Sequence, residues 1–267
     1  AMFDFAERVG PGMTTLPADR EALEQKIAVS AASFSGRHSG TGGAFVLLLE
    51  DTDSGAIHGS AAVYPQAGAD FGFFSYKLSR LKQRSDVLAM NREIPVLNLV
   101  NDLTGWTEVG SLVVAPQGRR GGLGRRLARS RYLLIGQHPD LFHENIFAEM
   151  RGWQDEDGRS PFWNAVGQRF FDLDFSAADR LSALEGSRFI QELMPKHPIY
   201  QQLLSQEARD SVGRPHDSSR AAMDLLLLEG FRYEGYVDVF DAGPEVNARR
   251  TEIATMRNDR AVPGVAG

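Results

Sequence analysis

The 267-residue chain contains no cysteine. That absence removes disulfides, thiol nucleophiles, iron–sulfur ligation and Cys-bound zinc together, and it suits a reducing compartment, so a cytoplasmic location is expected. No apolar run approaches the roughly 20 residues that span a bilayer, and no charged-then-apolar leader opens the sequence, so no membrane partner is expected. Basic charge is short as well. The 29 Lys and Arg stand against 35 Asp and Glu, a net of −6, which argues against a nucleic-acid partner. Metal-quality spacings such as His-Glu-x-x-His are absent, and so is a Gly-x-Ser-x-Gly elbow, which leaves a metal site and a serine hydrolase equally without support. What is present, 42% hydrophobic and 24% charged residues, is an ordinary globular balance. With no repeat, low-complexity tract or linker, the chain reads as one domain occupied with small-molecule chemistry.

Leu23, Ile27, Ala31 and Phe34 recur at helical spacing behind Pro17, so 18–35 reads as an amphipathic helix. Two β-prone runs, 44–50 and 56–64, flank Asp51-Thr52-Asp53-Ser54-Gly55 and read as a hairpin with an acidic turn. Further strands are expected at 71–76, 95–100, 107–114 and 145–150, with an Arg-rich helix over 122–136. The second half is mostly helical. Ser160-Pro161 is an N-cap with a first-turn proline, and Ser176-Ala177-Ala178-Asp179 resembles a capping box. Residues 188–194, 197–204 and 217–229 read as helices, and 231–240 as a closing strand. Phe162, Trp163, Phe170, Phe171 and Phe175 are assigned to the core. Hairpins followed by a β-α-β unit give an α/β (α+β) sandwich.

The strongest chemical signal follows the strand Thr107–Val114. Pro116-Gln117-Gly118-Arg119-Arg120-Gly121-Gly122-Leu123-Gly124 is a glycine-rich turn running into a helix, where backbone N–H groups and the helix dipole can face an anion. It is neither a Walker P-loop nor a dinucleotide fingerprint. The plain alternative is a helix start with a solvated face of Arg119, Arg120, Arg125, Arg126, Arg129 and Arg131.

Arg119-Arg120-Gly121-Gly122-Leu123-Gly124 resembles the Arg/Gln-x-x-Gly-x-Gly/Ala loop of the GNAT acyltransferases. In those enzymes it cradles the pyrophosphate of coenzyme A, and the preceding strand holds the pantetheine arm and the thioester. Further runs resemble the arginine N-succinyltransferases, a GNAT-related family: 148–152, Ser160-Pro161-Phe162-Trp163, 169–175, Leu193-Met194-Pro195-Lys196-His197-Pro198-Ile199-Tyr200, Glu229-Gly230-Phe231 and 238–244. The resemblance covers roughly residues 10–245. It implies a central twisted mixed sheet flanked by helices, with a helical insertion around 153–220. It also implies one domain over 3–245 followed by a tail over 246–267. The strand that begins the family and the β-rich extension of its longer members have no counterpart in the sequence.

The activity so implied is transfer of succinyl from succinyl-CoA, a co-substrate and not a permanent cofactor, to the α-amine of L-arginine, with ornithine open. No covalent enzyme intermediate is expected. The family's acid/base histidine falls on His216 in Gly213-Arg214-Pro215-His216, and its acyl-CoA contact on Leu112. Leu112, Val113 and Val114 are expected to hold and polarise the thioester carbonyl, and Arg119, Arg120, Gly121, Gly122 and Gly124 the pyrophosphate. Glu149 and Arg151, at the end of a strand, are the expected acceptor-binding pair. Asp238 and Asp241 default to turn roles and Asp155-Glu156-Asp157 to a solvated turn. His197, between prolines, is the rival to His216, while His38, His58, His138 and His143 read as surface or turn residues. Two alternatives stay open: a CoA-binding subunit that depends on a paralogous partner or is inactive, and an acyltransferase for another amine. A homo-oligomer and a heteromer with a paralogue are both compatible with the sequence.

Overall fold

The computed structural model describes residues 2–9, 16, 19–37, 42–119, 121–185 and 188–259. Two helices come first, α1 (Met2–Val9) and α2 (Arg20–Phe34), then strands β1 (Phe45–Glu50), β2 (Ile57–Tyr64), β3 (Ser75–Ser85), β4 (Met90–Val100) and β5 (Thr107–Val114). Helix α3 (Leu123–Gln137) leads to β6 (Asn145–Glu149). The helical segment follows as α4 (Pro161–Ala165), α5 (Gln168–Phe171), α6 (Phe175–Glu185), α7 (Arg188–Leu193), the short β7 (Ile199–Tyr200) and α8 (Gln206–Ser211). The chain closes with α9 (Arg220–Glu229), β8 (Arg232–Asp238), β9 (Pro244–Arg249) and α10 (Ala254–Asp259). All nine strands form one mixed sheet in the order β1-β2-β5-β6-β9-β8-β3-β4-β7, an α+β fold. Every neighbouring pair is antiparallel except β5 and β6.

Alternation along the strands sends side chains to two faces. On one face, Phe45, Val63, Val109, Ile146 and Val246 pack against Tyr132 and Ile135 of α3, Leu226 of α9 and Met256 of α10. Farther along the sheet, Tyr76, Leu97 and Val237 take Phe162, Trp163, Phe175 and Ile190 from the helical segment. On the opposite face Met2, Phe5 and Leu23 of α1 and α2 cover Ile57, Val46 and Val113. The chemistry concentrates where β5 and β6 meet, between these layers.

Several local expectations hold and have identifiable causes. Ser160 Oγ accepts from the Trp163 N–H at 3.2 Å, and Asp51 Oδ1 accepts from the Ser54 N–H at 2.8 Å in the hairpin turn. Helix α2 forms over the expected span with Asp19 as its N-cap, although Pro17 lies outside the described residues. Its stripe is different. Ile27 and Phe34 are exposed, and the buried face carries Ser30 and Ser33. Their hydroxyls accept from the N–H groups of Val46 and Ala44, at 3.0 and 3.1 Å. Strand β1 is the sheet edge, and the helix satisfies edge donors that no strand pairs.

Other expectations are corrected. The strands expected at 71–76 and 95–100 are one long hairpin of 11-residue arms. Residues 197–204 hold β7 and a 3-10 turn, not a helix, because Ile199 and Tyr200 pair with Leu97 and Val96. The capping residue of α6 is Asp174, which accepts from the Ala177 N–H at 2.7 Å; Ser176 already lies inside the helix. Phe170 is half exposed instead of core. The tail expected from 246 is not one: β9 runs to Arg249 between β6 and β8, and Ile253 and Met256 are buried. The final residues from 260 lie outside the described part.

Candidate active site

Strands β5 and β6 are paired only at Thr107–Ile146 and Glu108–Phe147. Beyond that point they part, so the backbone of 109–114 has no strand partner on its β6 side. A bulge sharpens the departure: Ala62 pairs with Gly110 but Ser60 with Val113, leaving an extra residue on β5. Ser111 takes the left-handed conformation there, φ 51°, a strained state for a side-chain-bearing residue. Bulges of this kind re-aim the residues that follow. Those residues are Leu112, Val113 and Val114, half-buried and bordering the cleft. The guanidinium of Arg131, buried on α3, lies over the other face and reaches the Gly110 carbonyl at 3.5 Å.

The glycine loop follows directly. Gly118 packs so closely that a Cβ would meet Val114 Cγ1 at 3.0 Å and His58 Cβ at 3.1 Å. Gly121 and Gly122 are left-handed, φ 59° and 73°, with nothing within 4 Å of where a Cβ would stand. Gly122 is the N-cap of α3 and supplies no capping side chain, so first-turn N–H groups of a 15-residue helix face open space. Gly124 meets only Val114, at 3.6 Å. Arg119 is exposed, and its Nε donates to the Val114 carbonyl at 3.0 Å, tying the loop to the strand; Arg120 lies outside the described residues. The expected solvated arginine face is partial. Arg125 and Arg126 are exposed, but Arg129 pairs with Glu229 at 2.9 Å and Arg131 is buried.

Carboxylates crowd the other side of the cleft. Glu149 ends β6 and stands directly opposite Glu245 on β9, so the two share a sheet face. Glu108, at the last paired position of β5, and Asp238 and Asp241 beside β8 complete the group. Burial raises the pKa of every one, and mutual repulsion adds to it for Glu149, Glu245 and Asp238, the last reaching about 8. Glu149 lies on the cleft floor: water reaches it, yet surrounding protein strips much of its hydration. Glu245 is 1% exposed, and neither carboxylate oxygen makes a hydrogen bond. Glu108 is pushed up to about 7 by burial, with Lys26 pulling the other way. Asp241 is the structural member. It accepts from the Gly152 and Gly243 N–H groups at 2.7 and 2.8 Å and so fixes the turn beyond β6, in the role expected of it. Asp238 Oδ1 accepts from the Phe240 N–H at 2.9 Å, also a turn role.

His216 arrives from the loop before α9. Its N–H donates to the Arg151 carbonyl at 2.7 Å, while Gly152 bridges Pro215 and Trp153 donates to Arg214 at 2.9 Å. The loop is thereby sewn to the segment that leaves β6. The Ser218 N–H donates to His216 Nδ1 at 3.2 Å. A backbone N–H can only donate, so the neutral ring carries its proton on Nε2. Arg151, expected to contact substrate, has its guanidinium in a bidentate pair with Asp179 of α6, at 3.0 and 3.3 Å. It anchors the helical segment against the cleft. Asp155 and Asp157 pair with Arg159 in the turn expected of them. His38 lies outside the described residues, and His143 stacks on Trp106.

The sequence had offered Glu149, His216, the β5 run and the loop. It had not offered Glu108, Glu245 or Lys26, whose meeting depends on tertiary contacts among α2, β5 and β9. Among the described residues, no helix is long and apolar enough to cross a membrane.

A parted parallel strand pair, a bulged strand edge and a glycine-started helix thus meet at the end of β5. Comparison with known proteins gives the family. The family model described as arginine N-succinyltransferase beta subunit matches residues 1–255. The arginine N-succinyltransferase subunit beta of Pseudomonas aeruginosa is 40% identical over 256 residues, covering 96% of this chain and 75% of that one. An arginine N-succinyltransferase of Escherichia coli is 37% identical over 267 residues, 100% of this chain and 78% of its own. The solved structure of arginine/ornithine succinyltransferase subunit AI from Pseudomonas aeruginosa superposes with a TM-score of 0.86 at 34% identity, over 96% of this chain and 75% of that one. The chain belongs to the arginine N-succinyltransferase family.

Proposed function

We propose that this chain transfers the succinyl group of succinyl-CoA to the α-amine of L-arginine. The observation that carries the reading is the early end of β5–β6 pairing directly before the glycine loop. The free edge of Leu112–Val114 holds the thioester, and its N–H groups polarise the carbonyl. The N–H groups at Gly121, Gly122 and Gly124, with Arg119 in the same loop, take the pyrophosphate. The arginine guanidinium lies against Glu149, with buried Glu245 opposite it, since a cation there offsets the repulsion that raises both carboxyls. Arg151 positions the wall of that pocket through Asp179.

Attack forms a C–N bond and breaks the C–S bond, so one proton must leave the amine and one must reach the thiolate. Glu108, with a pKa near 7 at the mouth of the split, accepts the amine proton. Cationic His216, its Nδ1–H given to Ser218 Oγ at 2.7 Å, supplies the Nε2 proton to the sulfur and is left as the neutral ring. No covalent enzyme intermediate is needed. Ornithine is a second acceptor on this reading, supported by the name of the solved neighbour, and the word subunit in two relatives' names supports assembly with a second chain of the family. A thiol-release assay with succinyl-CoA tests the whole. Arginine-dependent release of CoA is expected, whereas release indifferent to arginine and ornithine would refute it.

A further inference from the structure

Resting on the acyl-CoA reading above, we infer that Lys26, Tyr64 and Ser111 form the subsite for the terminal carboxylate of the acyl group and so select a dicarboxylic thioester over a neutral one. The three come from separate elements, α2, β2 and the β5 bulge, and converge on one point. Lys26 Nζ lies 3.1 Å from the Tyr64 hydroxyl and 3.4 Å from Ser111 Oγ, and the two hydroxyls are 2.9 Å apart. The Lys26 ammonium also stands 5.6 Å from the centre of the Tyr64 ring. Lys26 and Tyr64 are half-buried and Ser111 is 7% exposed, so the cluster is sheltered yet reachable.

Position makes the assignment. Ser111 directly precedes Leu112, where the thioester is held, and an extended four-carbon diacid places its far carboxyl about 4 Å from its near carbonyl. The left-handed Ser111 is what brings that hydroxyl to the lysine. Charge makes it a second time. The other titratable groups gathered there, Glu108, Glu149, Glu245, Asp238 and Asp241, are all acids and bring no positive charge to an acyl carboxylate. Arg151 is engaged by Asp179, and Arg131 lies on α3 across the sheet. Lys26 is the cation that the bulge itself presents to the acyl side. A neutral acyl group would have nothing to offer these three donors.

The test compares succinyl-CoA with butyryl-CoA, its uncharged counterpart of equal chain length, by calorimetry and by thiol release. The wild-type chain should prefer succinyl-CoA about ten- to a hundredfold in Kd, the range for a charge-assisted contact. Lys26→Met should erase that preference and Tyr64→Phe should reduce it, while affinity for CoA itself stays within twofold and reports an intact fold and loop. An unchanged succinyl-to-butyryl ratio in Lys26→Met overturns the subsite. So does a variant in which only the pH profile moves, since Lys26 would then serve Glu108 alone. The ratio is read by binding and judges the subsite even if arginine-dependent turnover fails, an outcome that would count against the reaction instead.

Discussion

Replacing Glu108 by glutamine should make the unliganded protein more stable at pH 8 and nearly inactive. The carboxyl titrates near 7 instead of its ordinary 4.5 because burial disfavours its charge more than Lys26 favours it. Between those two values the folded chain keeps a proton that the unfolded chain has released. Stability therefore falls as pH rises through the window, and the loss is complete above pH 7. At about 1.4 kcal/mol per pH unit the penalty is about 3 kcal/mol, or roughly 6–12 °C in Tm for a chain of this size. Glu108→Gln stays neutral throughout. It should melt with the wild type at pH 4.5 and above it at pH 8, by scanning fluorimetry without substrate. The same change removes the base, so kcat should drop about 10²–10⁴-fold and the acidic limb near pH 7 should vanish from kcat/KM. Equal pH slopes of Tm in the two proteins would refute the perturbed carboxyl. Retained kcat with the limb in place would refute its role as the base.

Three further outcomes follow from the same geometry. His216→Ala should lower kcat by about 10²–10⁴-fold and leave the Kd for succinyl-CoA nearly unchanged, measured by stopped-flow and calorimetry, if the ring serves proton transfer and not the carrier. Gly122→Val should cost about 1–2 kcal/mol by forcing a β-branched residue to φ 73°, and should also weaken CoA binding, since its side chain would stand where the loop is now open. Trp163→Ala should destabilise by about 3–5 kcal/mol in denaturant melts, as it empties the centre of the helical segment's core and strands the Leu173 carbonyl that its Nε1 serves at 3.0 Å.

What the sequence disclosed was local. The strand Thr107–Val114, the glycine turn and α3 are contiguous, and their chemistry lies in spacing, so all were legible before any contact was known. The bulge at Ser111 was not, because nothing in Gly110-Ser111-Leu112 announces a left-handed serine; it comes with the register shift between the Ala62–Gly110 and Ser60–Val113 pairs. The arms of the β3–β4 hairpin were read short because residues 79–94 are mostly polar and exposed on both faces, which erases the alternation that marks a strand. Strand β9 escaped because it opens on Pro244 and carries Glu245 and Asn247 among its apolar residues. Missing β9 hid Glu245, and with it the carboxylate pair that the arginine side chain would meet. Arg151 was expected to bind substrate, and its pairing with Asp179, 28 residues on, lies beyond the reach of any spacing rule.

Acyl-CoA held in the split between β5 and β6 and on the loop that follows would shield the backbone there. Hydrogen–deuterium exchange over 107–125, with and without saturating succinyl-CoA, reads that shielding. Slowed exchange is expected at 111–114 and at 121–125, with no comparable change in the distal β3–β4 hairpin. Exchange over 107–125 that is indifferent to the ligand, with protection elsewhere, would contradict that placement.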